Sequence, residues 1–223
     1  MIPYKDDNPT SLFPFVTIGL IVLNCLAFAW ELFGPVSGRE IAYSYGAIPG
    51  NILSLTGDQP VGPVASIFTS MFLHGGFMHL GGNMLYLWIF GNNIEDVLGH
   101  FRFLLFYLFS GVAAAYGHAI IEPLSAIPMI GASGAISGVL GAYALLFPRA
   151  RIHTIIILGI FWQVIQVPAL VVIGFWAVFQ LLNGLMSKGL LNGGGVAWFA
   201  HVGGFLAGIL TIRLWLSGRR RIS

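Results

Sequence analysis

Long apolar segments constrain this sequence more than any other feature. A helix needs roughly 17 to 25 apolar residues to cross the hydrocarbon layer of a bilayer, and six segments reach or approach that length. Only 8% of the residues are charged, against about 25% in ordinary soluble domains. We therefore expect an all-α membrane protein, with six transmembrane helices in one domain over residues 1–223. The predicted helices cover residues 12–33, 77–94, 103–121, 133–147, 167–186 and 198–216.

The segments between these predicted helices differ in character. Residues 34–65 are richer in glycine, proline and charge, which predicts a long external loop between the first two helices, with short interfacial helices in part of it. The apolar stretch after the fourth helix contains two glutamines and a proline. We place one crossing there, at 167–186. Residues 151–166 are interpreted as a piece that does not cross, either interfacial or strand-like because of its β-branched residues.

The basic residues predict the orientation of the helices. With a cytoplasmic N-terminus and six crossings, eight of the ten Lys and Arg residues lie inside and two lie outside, as the positive-inside rule requires. The inside set is Lys5, Arg102, Arg149, Arg151, Arg213, Arg219, Arg220 and Arg221, and the outside set is Arg39 and Lys188. We expect both termini to be cytoplasmic, in the cell membrane of a bacterium or an archaeon.

Composition also bears on partners and on the N-terminus. The net charge is only +2 and the basic residues form no stripe with aromatics, so we expect the lipid bilayer and no nucleic acid as a partner. Cys25 is the single cysteine, which excludes an intrachain disulfide. Lys5 is balanced by two aspartates before a full-length apolar segment, so the first helix is interpreted as retained rather than as a signal peptide. The glycine-rich segment 188–195 is interpreted as a mobile cap rather than a plain connector.

Several polar residues lie inside the predicted helices, where polar groups are costly and often functional. Ser133, His79 and His201 each lie about 16 to 18 residues from the cytoplasmic end of their helix, which is roughly 24–27 Å at about 1.5 Å per residue. Three polar side chains on three helices thus reach one level, a little below the outer surface. Asn83 lies one turn deeper than His79 on the same helix face.

Small residues at four-residue spacing predict that two of these helices approach closely. The fourth helix carries stripes at Ser133, Ser137 and Gly141 and at Gly134, Gly138 and Ala142, and the sixth carries Ala200, Gly204 and Gly208. Close approach would let the hydroxyl of Ser133 reach the imidazole of His201 at about 2.6–3.2 Å, where the imidazole can take its proton. Ser133 begins its helix, so its N–H is free to donate to a developing oxyanion, and His79 and Asn83 would add donors.

These residues form blocks that resemble the motifs of the rhomboid intramembrane serine proteases. Residues 131–134 (GASG) match the GxSG motif of that family, and residues 200–208 (AHVGGFLAG) resemble its catalytic-histidine helix. Residues 74–83 (HGGFMHLGGN) resemble its second-span motif of two histidines and an asparagine. Residues 91–102 resemble its turn between the second and third spans. The blocks occur in order between about residues 65 and 210.

The resemblance implies a six-span serine endopeptidase that needs no metal and no cofactor. Ser133 would be the nucleophile, His201 the general base, and His79, Asn83 and the Ser133 N–H would line the oxyanion hole. Gly131 and Ala132 would lie near the substrate, which in this family is a single-span membrane protein cut in or near its helix. The chain departs from some relatives in two ways. Ser137 stands where they carry a tyrosine that supports the imidazole, and the first external loop lacks their Trp–Arg pair.

Three other functions remain as alternatives. An inactive relative that escorts membrane clients would be expected to lack the serine or the histidine. A metal-dependent hydrolase would have to use His74, His79 and His201, but the sequence has no H-E-x-x-H motif and no carboxylate close to His79. A channel for small solutes would need polar residues across the whole membrane, whereas these stop at one depth.

Overall fold

The computed structural model describes residues 2–158, 161–187 and 196–216. The segment interpreted as a cap, 188–195, and the C-terminal arginines lie outside the described residues. The elements, in chain order, are β1 (Ile2–Asp6), α1 (Phe15–Phe33), α2 (Gly38–Tyr45), α3 (Pro49–Ser54), α4 (Pro63–Ser70), α5 (Phe77–Tyr86), a π-helical turn (Leu87–Gly91), α6 (Asn92–Leu98), α7 (His100–Ile121), α8 (Ser133–Leu146), β2 (Arg151–Leu158), β3 (Phe161–Pro168), α9 (Ala169–Ser187) and α10 (Trp198–Trp215).

Helix α8 is the centre of a helical bundle. It packs against α7, α9, α10 and the π-helical turn, and its residues from Ala135 to Ala144 are all buried. A helix that is apolar on every side belongs in the interior of a bundle, which explains why the small, apolar α8 lies there. The longer helices around it expose large apolar side chains such as Leu26, Phe175 and Leu210 on their outer surfaces.

Four helices in the described part of the chain are long and apolar enough to cross a membrane. They are α1, α7, α9 and α10, and α8 is a shorter apolar helix of 14 residues. The second predicted span is one helical run over residues 77–98, in which five residues, four of them buried, adopt π-helical geometry between α5 and α6. The count of six crossings therefore stays a prediction.

A three-stranded antiparallel sheet corrects the expectation of an entirely α-helical protein. Strands β2 and β3 pair antiparallel, so the strand-like interpretation of segment 151–166 is confirmed for its described residues. Strand β1, which the sequence did not predict, pairs with β2. Its buried Asp6 accepts hydrogen bonds from the amide of Asn93, 2.8 Å away, and from the hydroxyl of Tyr143, 2.7 Å away.

The two ends of the bundle differ in structure. The sheet brings the N-terminal strand and the connection between α8 and α9 to one end, where Asp96 also accepts hydrogen bonds from the backbone of Ser11 and Leu12. At the other end, residues 34–76 contain the short helices α2, α3 and α4, as expected for part of this connection. A β-bridge between Ala47 and Met129 joins this region to the connection between α7 and α8.

The small residues of α8 and α10 allow these two helices to pack with their backbones almost in contact. A Cβ on Gly204 would collide with the carbonyl oxygen of Gly134, and a Cβ on Gly208 would collide with that of Gly138. The predicted close approach is therefore confirmed at both glycines of the α10 stripe, Gly204 and Gly208. It fixes the first turn of α8 beside the first turn of α10, which is where Ser133 and His201 lie.

Candidate active site

Ser133 and His201 meet at the wall of one cavity of about 750 Å³. Ser133 is the first residue of α8 and His201 lies in the first turn of α10. The hydroxyl oxygen of Ser133 is 2.8 Å from Nε2 of His201, within hydrogen-bonding distance. The other ring nitrogen of His201, Nδ1, is 2.7 Å from Oε1 of Gln180 on α9. The imidazole is thus held by polar contacts on both of its nitrogens.

Two tryptophans pack around this imidazole. Trp176 on α9 lies with its ring centre 6.1 Å from that of His201 at an angle of 40°, and Trp198 lies at 6.3 Å with the ring planes at 90°. Large rigid rings on two sides restrict how the imidazole can rotate. Ser137, at the position where the resemblance places a supporting tyrosine in some rhomboid proteases, donates a 2.5 Å hydrogen bond to the backbone carbonyl of Ser133.

His79 and Asn83 line the same cavity from α5. Both side chains lie against Gly131, because a Cβ on that glycine would be 2.7 Å from Nε2 of His79 and 3.5 Å from Nδ2 of Asn83. Gly131 has a φ of +120°, which glycine adopts without strain. The backbone two residues before Ser133 therefore runs directly beside the two side chains that were predicted to be hydrogen-bond donors.

Hydrogen bonds fix the orientation of these two donors. Nδ1 of His79 accepts from the backbone N–H of Gly75 at 3.3 Å, so a neutral ring carries its proton on Nε2, the atom that faces Gly131. The amide of Asn83 donates one hydrogen to Nε2 of His74 at 2.9 Å, and its second hydrogen has no hydrogen-bond partner among the described residues. Nδ1 of His74 in turn donates to the carbonyl of Phe72 at 3.3 Å.

The segment before α5 is anchored through His74. Its backbone N–H donates to the carboxylate of Glu31 on α1 at 3.0 Å, and the residue is 2% exposed. Burial, with a smaller contribution from the nearby His79, lowers the pKa of His74 to about 4. His74 is therefore neutral near pH 7, as it must be to accept a hydrogen bond from Asn83.

The other residues predicted for the site divide into two groups. Gly131 lines the cavity, whereas Ala132 is fully buried in the core, so it is not placed to touch a substrate through its side chain.

In the part of the chain that the structure describes, no three His, Cys, Asp or Glu side chains converge on a point where they could hold a metal ion.

Gln180 is the residue of this site that the sequence reasoning missed. The sequence could have indicated it, because Gln180 is an amide within a helix of mainly apolar residues. Such a residue needs a hydrogen-bond partner in the bundle. The sequence did not show which helix held that partner. The structure pairs it with His201.

Long apolar helices around a cavity, with a serine and a histidine in contact at its wall, are the features of an integral membrane protein with a candidate hydrolytic site. The Rhomboid domain family matches residues 62–218, more than half of the sequence. The chain belongs to the rhomboid family. Every predicted site residue lies within the matched segment.

Individual relatives extend this comparison. "Rhomboid protein 1, mitochondrial" of Saccharomyces cerevisiae is 36% identical over 150 residues, which cover 65% of this chain and 40% of the relative. Rhomboid protease GluP of Bacillus subtilis is 30% identical over 139 residues, covering 62% of this chain and 25% of the relative. Rhomboid protease AarA of Providencia stuartii is 30% identical over 218 residues, covering 87% and 70%. The chain thus matches less than half the length of the first two relatives.

Proposed function

We propose that this protein is an intramembrane serine endopeptidase that cuts transmembrane segments of other membrane proteins with a Ser133–His201 dyad. The observation that carries the proposal is the 2.8 Å contact between the Ser133 hydroxyl and Nε2 of His201 at a cavity wall within a membrane bundle. Two of the relatives are named rhomboid proteases, which supports the same activity. The substrates proposed are single-span membrane proteins presented within the lipid bilayer.

In the first half of the reaction, Nε2 of His201 takes the hydroxyl proton while Oγ of Ser133 attacks the carbonyl carbon of the scissile peptide. The carbonyl oxygen becomes negative in the tetrahedral intermediate. When this intermediate collapses, the imidazolium gives its proton to the leaving nitrogen. The C–N bond then breaks and an acyl ester on Ser133 remains.

In the second half, a water molecule replaces the leaving amine. His201 takes a proton from the water, whose oxygen attacks the ester carbon. The imidazolium then returns the proton to Oγ of Ser133, which releases the new carboxyl terminus and restores the enzyme. The cavity beside Ser133 is where this water would be admitted.

The proposed oxyanion hole consists of the backbone N–H of Ser133, Nε2–H of His79 and the free amide hydrogen of Asn83. Ser133 begins α8, so its N–H has no acceptor inside the helix and lies at the positive end of the helix dipole. One well-placed donor of this kind lowers the barrier by roughly 3–4 kcal/mol. His74 would act indirectly, by holding the amide of Asn83 in orientation.

The proposed topology has six crossings, with residues 77–98 and α8 added to the four long apolar helices. An even number of crossings places both termini on one side. The pairing of β1 with β2 supports this, because it puts the N-terminal strand at the same end as the connection between the fourth and fifth proposed spans.

The test is cleavage in proteoliposomes that contain the purified protein and a single-span substrate with small residues near the outer end of its helix. We expect products cut within or next to the apolar segment, identified by mass spectrometry. Ser133→Ala and His201→Ala should each reduce cleavage at least about 1,000-fold. Ser125→Ala is the matched control, because this serine lines the same cavity and its hydroxyl oxygen accepts from the backbone N–H of Ile127. Undiminished cleavage by either dyad variant would refute the proposal.

A further inference from the structure

We propose that Gln180 on α9 is a positioning residue that fixes the orientation and tautomer of the His201 imidazole; the inference rests on the proposed protease function. Oε1 of Gln180 is 2.7 Å from Nδ1 of His201, and the Gln180 residue is 6% exposed. The same ring contacts Ser133 through Nε2 at 2.8 Å. The three side chains therefore form one continuous line of hydrogen bonds across α9, α10 and α8.

The chemistry of the amide decides which ring nitrogen carries the proton. A carbonyl oxygen can only accept, so the contact with Oε1 requires a hydrogen on Nδ1 of His201. In a neutral imidazole this leaves a lone pair on Nε2, the atom that faces Ser133. The opposite tautomer would present an N–H to the hydroxyl and could not take its proton. Gln180 thus selects the reactive tautomer without carrying a charge.

Gln180 lies on the face of α9 that is turned towards the bundle and the start of α10. Ile173, Gln180 and Gly184 lie on the buried face of the helix. A Cβ on Gly184 would be 3.2 Å from the ring of Phe199, so α9 comes close to the start of α10 one turn beyond Gln180. This approach brings the amide of a medium-length side chain within reach of the imidazole.

Asn183, a second amide on α9, makes a different kind of hydrogen bond from Gln180. It lies three residues after Gln180, is half-buried, and donates from Nδ2 to the carbonyl of Phe179 in its own helix at 2.7 Å. Gln180 instead bonds to a side chain on another helix. A polar group in a membrane bundle is stabilised by either contact, but only the second also orients a reacting group.

Ser137 does not supply this support. Its hydroxyl is directed to the backbone carbonyl of Ser133, and the rings of Trp176 and Trp198 restrict the imidazole by packing rather than by accepting a proton. Within the described residues, Gln180 is the hydrogen-bond partner of Nδ1. The orienting role that a carboxylate plays in Ser–His–Asp enzymes falls here to an uncharged amide.

The experiment measures the rate at which a fluorophosphonate labels Ser133 in four forms of the full chain: wild type, Gln180→Met, Gln180→Glu and Asn183→Leu. Methionine keeps the length of the side chain without the acceptor, so we expect labelling to slow roughly tenfold, which corresponds to one hydrogen bond of about 1.4 kcal/mol. Glutamate restores an acceptor oxygen and should recover most of the rate. Asn183→Leu should label like wild type.

Thermal unfolding of each form separates positioning from folding. We expect Gln180→Met and Asn183→Leu to unfold at similar temperatures, so that only the labelling rate distinguishes them. Wild-type labelling of Gln180→Met would overturn the inference, and so would a slow Gln180→Met that glutamate does not rescue. Failure of the folded wild type to label at all would instead refute the proposed protease function, and the inference with it.

Discussion

At the scale of single residues, the amide of Asn83 depends on a neutral histidine. His74 accepts a hydrogen bond from Asn83 only while Nε2 has no proton. The backbone N–H of His74 donates to the carboxylate of Glu31 on α1. Protonation of His74 would turn this acceptor into a donor facing a donor. Protonation of His74 should therefore disturb both the orientation of Asn83 and the fold of the segment before α5.

This coupling predicts a pH dependence of stability. The pKa of His74 is lowered to about 4 in the folded protein, against about 6.5 in an unfolded chain. Between these values the unfolded chain binds a proton that the folded protein does not. Stability is thus fully present above about pH 6.5 and falls as the pH is lowered to about 4, by roughly 3 kcal/mol from this group.

The measurement is the unfolding temperature in detergent at pH 7.5 and at pH 5. Replacing His74 with glutamine keeps a neutral acceptor, so the loss on acidification should be smaller than in wild type. His153→Gln, on strand β2, is the matched control and should respond to pH as wild type does. An equal acid response in His74→Gln and wild type would contradict the assignment.

At the scale of elements, the contact between α8 and α10 determines whether the dyad exists. Gly208→Ala would place a methyl group against the carbonyl oxygen of Gly138, and inserting atoms into such a packed contact costs about 1–3 kcal/mol. We expect a lower unfolding temperature and slower fluorophosphonate labelling of Ser133. Gly174→Ala on α9 is the control, since its Cβ would meet no atom within 4 Å. Equal behaviour of the two variants would show that the contact is not needed.

The elements also show what the sequence could and could not predict. The meeting of Ser133 and His201 followed from two local patterns, their equal depth in the membrane and the small-residue stripes of their helices. Strand β1 was missed because it contains Pro3 and because its partner strand lies far along the chain. The π-helical turn was missed because hydropathy does not record a shift in backbone hydrogen bonding. Gln180 was missed because a single amide has no periodicity that points to its partner.

At the scale of the whole molecule, the architecture predicts that the two ends of the bundle lie on opposite sides of the membrane. Asp7 lies at the end that carries the sheet, and Asp58 is exposed in the region of α2 to α4 at the other end. After Cys25 is replaced with serine, a membrane-impermeant thiol reagent should reach Asp7→Cys only from the cytoplasmic side and Asp58→Cys only from the opposite side. Labelling of both cysteines from the same side would contradict the proposed topology.

The identity of the membrane is a separate question from this topology. The relatives include a mitochondrial protein of Saccharomyces cerevisiae and "Rhomboid-like protein 11, chloroplastic" of Arabidopsis thaliana, besides proteins of bacteria. Family membership is therefore compatible with several membranes, and the cell membrane of a bacterium or an archaeon stays a prediction.

The central claim is that the Ser133 hydroxyl is made nucleophilic by His201. The most direct measurement is the mass of the folded protein after exposure to a fluorophosphonate, with the modified residue located by peptide mapping. We predict one adduct, on Ser133, in the wild-type protein and in Ser125→Ala, and none in His201→Ala. A folded wild type that does not react, or a His201→Ala variant that reacts as fast as wild type, would contradict the account.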